Sequence, residues 1–316
     1  MKNKVVITGV VAVIFILLMM LYIYVPRGGE GPVVYYYVEF KENLVFHSLG
    51  ENTASTTTVA PPGYLMGIAP HSLVFAKPLS GGKATLLRIY SPTDIISLAT
   101  TTMPTFVGLQ TDKYIVYGVG KTLSDMKACA IDSAGKTVCA PLPSDIAMDL
   151  QALMPIGGGK VWYSEGKFYY LGKMVAWFEG RGGYGTLDEN SDFLYVYALP
   201  LKDGSFILGG RTIALYTEKG LQATATVKLP PRWISPRMVE CGDYVYVSPS
   251  STTYKFHIPD LKLSATLKGV AVGCMGNTPL FFRGTYPIKG SVVSEDGRVF
   301  LKDVSFGTIV GRGESR

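Results

Sequence analysis

The sequence predicts an all-β fold, a ring of small repeated sheets, preceded by one apolar helix. Three observations carry this. One uncharged apolar run stands at the amino terminus, no 3.6-residue apolar period follows it, and short strand patterns recur in groups of about four. The groups repeat at roughly 30–45 residues, the spacing of propeller blades.

The apolar run extends from Val5 to Val25. At about 1.5 Å per residue it covers roughly 30 Å, the depth of a hydrocarbon core. It is longer than a signal-peptide core, and the residues after it offer no Ala-x-Ala pattern. An uncleaved signal-anchor is favoured over a cleaved leader. Lys2 and Lys4 precede it and Arg27 follows it, so the positive-inside rule leaves residues 1–4 in the cytoplasm by a small margin. Tyr22 and Tyr24 suit an interfacial aromatic belt. Residues 26–32, rich in Gly and Pro, read as a stalk. The expected organisation is then a propeller over 33–305 and a C-terminal tail over 306–316, on a single-pass cell-membrane protein whose bulk is extracytoplasmic.

Of the 316 residues, 17% are charged, while Gly numbers 36 and Tyr 20, a composition suited to short buried strands joined by tight turns. The net charge of +6 is not concentrated in any Lys/Arg cluster, which argues against a nucleic-acid partner. Asn and Gln are scarce, one mark of a thermophile protein.

The strand groups span 63–100, 104–142, 150–179, 193–229, 237–267 and 270–304. Residues 33–48 supply extra strands that, paired with C-terminal ones, would close the ring and protect its edges. The blade number is six or seven. Lys113-Tyr114-Ile115-Val116-Tyr117, then 127–132, then Gly135-Lys136-Thr137-Val138 resembles the strand order of quinoprotein-like and surface-layer propellers. So does Gly159-Lys160-Val161-Trp162-Tyr163 followed by Lys167-Phe168-Tyr169-Tyr170. The resemblance implies the fold. The tryptophans at 162, 177 and 233 do not recur once per blade, which speaks against a quinone cofactor.

Outside the cell an even cysteine count favours disulfides. Cys129 and Cys139 are equidistant from a hairpin turn near Ala134, where directly opposed residues come within bonding reach. Cys241 and Cys274 share a local pattern and fit matching positions of neighbouring repeats. A second disulfide and two buried thiols are both open for that pair.

Few motifs point to chemistry. Gly180-Arg181-Gly182-Gly183-Tyr184-Gly185 matches a dinucleotide fingerprint but no helix pattern follows, so it reads as a flexible rim loop, 180–192. Asp188, Asn190 and Asp192 have the alternate spacing that begins a calcium loop. Phe193 and Leu199 replace the Gly and Glu an EF-hand needs, leaving a looser calcium site or a solvated acidic turn. No catalytic residue stands out, and no cofactor other than calcium is implied. Carboxylate pairs for hydrolysis would come from different blades and are invisible in sequence. The expected function is a binding or scaffold module with a protein or glycan partner at the cell surface. An extracellular propeller enzyme, either a glycan hydrolase or a quinone-dependent oxidoreductase, is the alternative, and a structural coat subunit is a third class.

Overall fold

The computed structural model describes residues 34–50, 55–152, 160–172, 175–180, 182–188, 195–227, 237–285 and 289–312. The predicted anchor 5–25 and stalk 26–32 lie outside the described residues. Among those described, no helix is long and apolar enough to cross a membrane.

Seven four-stranded antiparallel sheets form the propeller. Blade 1 contains Tyr36–Phe40 (β1), Leu44–Ser48 (β2) and Thr56–Val59 (β3). Blade 2 is Tyr64–Ala69 (β4), Ser72–Leu79 (β5), Lys83–Ile89 (β6) and Ile95–Thr102 (β7). Blade 3 is Phe106–Val107 (β8), Tyr114–Val119 (β9), Lys127–Asp132 (β10) and Thr137–Pro141 (β11). Blade 4 is Val161–Ser164 (β12), Lys167–Leu171 (β13), Val175–Phe178 (β14) and Tyr184–Asp188 (β15). Blade 5 is Tyr195–Pro200 (β16), Phe206–Gly210 (β17), Thr212–Thr217 (β18) and Gly220–Thr226 (β19). Blade 6 is Arg237–Cys241 (β20), Tyr244–Ser248 (β21), Thr252–His257 (β22) and Leu263–Lys268 (β23). Blade 7 is Val270–Met275 (β24), Thr278–Thr285 (β25), Lys289–Ser294 (β26) and Val299–Val304 (β27), and Gly307–Val310 (β28) returns to blade 1.

The burial patterns follow from this order. Second strands lie between neighbouring blades and are buried on both faces through their middles, as are some third strands. Phe206–Gly210 is buried throughout, as is Ile213–Leu215 of β18. Outermost strands alternate with solvent, as in β23 and β19. The core is accordingly divided into seven apolar clusters, one at each blade-to-blade interface. Between blades 4 and 5, Trp162, Tyr169, Phe206 and Tyr216 pack together, with Phe206 stacked on Tyr216 at 5.7 Å.

The meander defines two faces. First strands run away from the connections between blades. The upper face thus carries those connections and the hairpins between second and third strands. The lower face carries the turns after first and third strands. The chain enters β1 at the lower face.

Ring closure corrects the expected 306–316 tail. β28 pairs with β1 in antiparallel register, Val38 opposite Thr308 and Tyr36 opposite Val310, and is buried throughout. It is the inner strand of blade 1, so this blade combines three N-terminal strands with one C-terminal strand. The expected pairing of residues 33–48 with C-terminal strands is met, by a strand too short and Gly-flanked to be read ahead of time.

Two local expectations also change. Ser144–Ala152 forms a helix (α1) between β11 and β12, where the sequence pattern had suggested only strands. Its buried Ile146, Ala147 and Leu150 lie on one face against the blade 3–blade 4 core, and a nine-residue segment is too short to show a convincing period. Residues 184–188, placed in the rim loop 180–192, are instead β15, the outer edge of blade 4. The Gly-rich segment before it disguised an edge strand of weak β-propensity, Tyr184-Gly185-Thr186-Leu187-Asp188.

Both cysteine pairs are disulfides, and the described chain holds no free cysteine. Cys129 and Cys139 are directly opposed across β10 and β11, with Cα atoms 4.1 Å apart. Asp132 N–H donates to Lys136 O and Leu142 N–H to Met126 O, so ladder bonds fall on even-numbered residues. The cysteines therefore occupy a non-hydrogen-bonded pair, the close one. Cys241 and Cys274, 5.6 Å apart at Cα, join the innermost strands β20 and β24 of blades 6 and 7. That settles the open alternative in favour of a second disulfide.

Candidate functional site

The lower axial end draws charged side chains from four blades. They sit in the turns after the innermost strands, or at the strand ends. His71 follows β4, Asp112 and Lys113 follow β8, Lys202 and Asp203 follow β16, and Glu240 lies near the end of β20. Lys113 Nζ donates to Lys202 O at 3.2 Å, and Lys202 N–H donates to Glu240 Oε2 at 3.2 Å. His71 meets Asp112 twice, from its backbone N–H at 3.1 Å and through Nδ1 at 2.7 Å.

The turn that presents Asp112 is held from beneath. Arg88, in β6, is 1% exposed. Its guanidinium donates to Asp112 O at 2.5 Å and Thr111 O at 2.9 Å. A planar guanidinium fork can satisfy two carbonyls of one turn with fixed geometry. Gln110 braces the same turn, donating to Gly108 O and Val116 O and accepting from Val116 N–H.

Glu240 is the electrostatic centre of this end. Burial pushes its carboxyl up from 4.5 to about 7. Lys202 pulls it back, and the charges of Asp203 and Asp112 raise it further. A carboxyl poised there can hold or release a proton near neutrality. Glu240 and Asp112 come from blades 6 and 3, a pairing that sequence separation hides.

The raised Glu240 makes stability depend on pH. Between pH 4.5 and about 7 the folded chain keeps a proton that the unfolded chain has released. Stability therefore falls as pH rises through that window, and the loss is complete above it. Because the carboxyl is partly solvated, the penalty is discounted to about 1–2 kcal/mol. Glu240→Gln, which keeps the acceptor for Lys202 N–H, is expected to raise the melting temperature at pH 8 by about 2–8 °C. At pH 4 it should change nothing, which thermal melts at the two pH values check.

The upper axial end is a structural clamp. Arg237 donates to Val272 O at 3.0 Å, Gly307 O at 3.2 Å and Thr308 Oγ1 at 2.7 Å, tying blade 6 to blades 7 and 1. Burial would raise the Glu39 carboxyl, but hydrogen bonds from Ser305 N–H, His47 and Lys41 outweigh it and hold it below its ordinary value.

The candidate calcium residues are only partly placed. Asp188 ends β15 and accepts a hydrogen bond from the Tyr216 hydroxyl, while Asn190 and Asp192 lie outside the described residues. Among the described residues no group of three or more His, Cys, Asp or Glu side chains could hold a metal ion. His71, in the turn after β4, is the histidine brought into the lower cluster. His257 pairs instead with Asp260 at 3.0 Å.

No family model matches the chain, and no curated protein does. Solved structures do. Apo AztD from Citrobacter koseri is 11% identical over 89% of this chain and 99% of its own, with a TM-score of 0.52. The periplasmic gluconolactonase PpgL of Pseudomonas aeruginosa is 12% identical over 88% of this chain and 97% of its own, with a TM-score of 0.49. BamB from Moraxella catarrhalis is 14% identical over 76% of each chain, with a TM-score of 0.38. Identity at this level speaks for the fold and for no ligand or reaction. On its own strand order, this chain is a seven-bladed β-propeller.

Proposed function

We propose that the chain is an extracytoplasmic propeller, held at a membrane by residues 5–25, that works as a binding or scaffold module at the cell surface. The observation that carries the reading is the pairing of all four cysteines. Disulfides persist in oxidising compartments and are rare in the cytosol. The uncharged run 5–25 supplies the anchor, and the chain enters the ring at the lower face. Anchoring raises local concentration for a partner.

Fractionated membranes test this. The full-length protein is expected to resist alkaline carbonate extraction, to be degraded by protease added to intact cells, and to retain both disulfides after rapid thiol trapping. Release into the soluble fraction, or protection from protease, overturns it.

A second reading, an extracytoplasmic hydrolase, draws on Glu240. A carboxyl pushed up to about 7, with the Asp112 charge among the causes, is a general-acid arrangement. A glycan substrate would suit it. Turnover of a polysaccharide panel that Glu240→Gln abolishes would favour the enzyme over the binding module.

A further inference from the structure

We propose that the upper edge of blades 2 and 3 is the docking surface for an acidic polypeptide that also carries apolar side chains. The proposal rests on the binding-module reading above and names the partner chemistry for it.

Cations frame two neighbouring hairpins. Lys77 and Lys83 flank the β5–β6 turn, and Lys121 and Lys127 flank the turn from β9 to β10. All four side chains are exposed, and among the described residues none forms an ion pair. The carboxylates beside them are otherwise engaged. Asp125 accepts from Lys121 N–H, Thr122 N–H and the Thr122 hydroxyl. On α1, Asp145 accepts from the Tyr184 hydroxyl at 2.7 Å and Asp149 from the Tyr170 hydroxyl. These carboxylates keep their charge but are turned toward their own loop and toward tyrosines rather than onto the lysines, so the four ammonium groups have no ion-pair partner among the described residues and an acidic partner can supply one.

Apolar side chains stand among these cations. Leu79 at one hairpin tip is 43% exposed and Leu123 at the other 37%, while Tyr64, at the upper end of β4, is 63% exposed. Gly81 and Gly82 both take left-handed φ at the first tip, with open space around each, so the turn projects without a packing partner. Leucines set between lysines match a surface offering both carboxylates and apolar side chains. Acidic glycans supply the charge but no aliphatic counterpart. An anionic bilayer offers charge and apolar chains as well, and the vesicle arm of the test separates it from a polypeptide.

The test uses the full-length chain in phosphatidylcholine nanodiscs and, as probe, a random copolymer of glutamate and tyrosine. Binding is expected, and it should weaken as salt rises from 50 to 300 mM. Lys83→Glu with Lys127→Glu should weaken it about tenfold or more, while Lys219→Glu with Lys262→Glu, on the lower face, should leave it unchanged. Unaltered melting temperatures establish that both variants fold, and Lys77→Ala with Lys121→Ala replaces the first pair if it does not. Equal binding after either upper-face pair leaves the chain a binding module with its site elsewhere, and overturns the proposal. So does absence of copolymer binding, or preferred binding of polygalacturonate or of phosphatidylserine vesicles. None of these outcomes touches the carbonate and protease result, so the two readings fail separately.

Discussion

Truncating the chain after Val304 is expected to abolish cooperative folding. The missing segment contains β28, which supplies the inner strand of blade 1. Its loss strips Ile309 and Val310, both fully buried, from the interfaces of blade 1 with blades 7 and 2. Burying each such side chain contributes about 1.5–3 kcal/mol, before any cavity cost. The polar losses are as severe. Arg237 loses Gly307 O and Thr308 Oγ1 as acceptors, and Glu39 loses the Ser305 N–H at 2.7 Å. β1 is left with an open edge, a template for aggregation. Together these are comparable to the roughly 5–15 kcal/mol by which a domain is stable. Thermal denaturation followed by circular dichroism should show no sigmoidal transition. Truncation after Arg312, which keeps every strand, should melt like the full chain. Gly307→Val separates closure from simple loss of apolar mass, because a Cβ there would lie 2.1 Å from Val38 O. It should lower the melting temperature while every other apolar contact is available.

The contrast between what the sequence discloses and what it hides follows from the range of the interactions involved. Runs such as Lys113–Val119 announce strands because each side chain is selected by burial between blades, a local and repeated demand. The Cys129–Cys139 pairing is legible for the same reason, since one hairpin fixes both partners. Cys241 and Cys274 are suggested only by matching repeat positions, and their bond depends on how two blades meet. α1 is too short for its period to register. β15 contains Gly185 and follows a Gly-rich stretch, so its strand character comes from pairing with β14 rather than from propensity. The lower axial cluster was illegible. His71, Asp112, Lys202 and Glu240 come from four blades and meet only because first-strand ends converge on an axis. The one usable signal was chemical: Lys202-Asp203-Gly204-Ser205 and Thr111-Asp112-Lys113 place charge in turns that a ring would gather.

Arg88→Ala is expected to cost about 4 kcal/mol and to disturb Glu240 without touching it. Arg88 is among the largest fully buried side chains, and shortening it leaves a cavity beneath the Thr111–Asp112 turn. Two carbonyl oxygens lose their donors, each costing about 1–3 kcal/mol if left dry. For a chain of this size the melting temperature should fall by about 8–16 °C. Arg88→Lys should restore little, because a single ammonium cannot reproduce the planar fork. The electrostatic consequence is separate from stability. Without Arg88, the turn is held only by Gln110 and His71 and can shift, and the Asp112 charge is one of the causes that raise Glu240. A relaxed turn lets that carboxylate move away into solvent, and the Glu240 pKa should drop below its value of about 7. Titration of the Glu240 carboxyl by carbon-13 NMR reads this directly. Asp112→Asn, which removes the charge but keeps the backbone acceptors of Arg88, should lower the Glu240 pKa with a far smaller loss of stability. If Arg88→Ala destabilises the ring and leaves the Glu240 titration unmoved, Arg88 braces the fold alone, and the lower end is a collection of neighbouring charges rather than one coupled site.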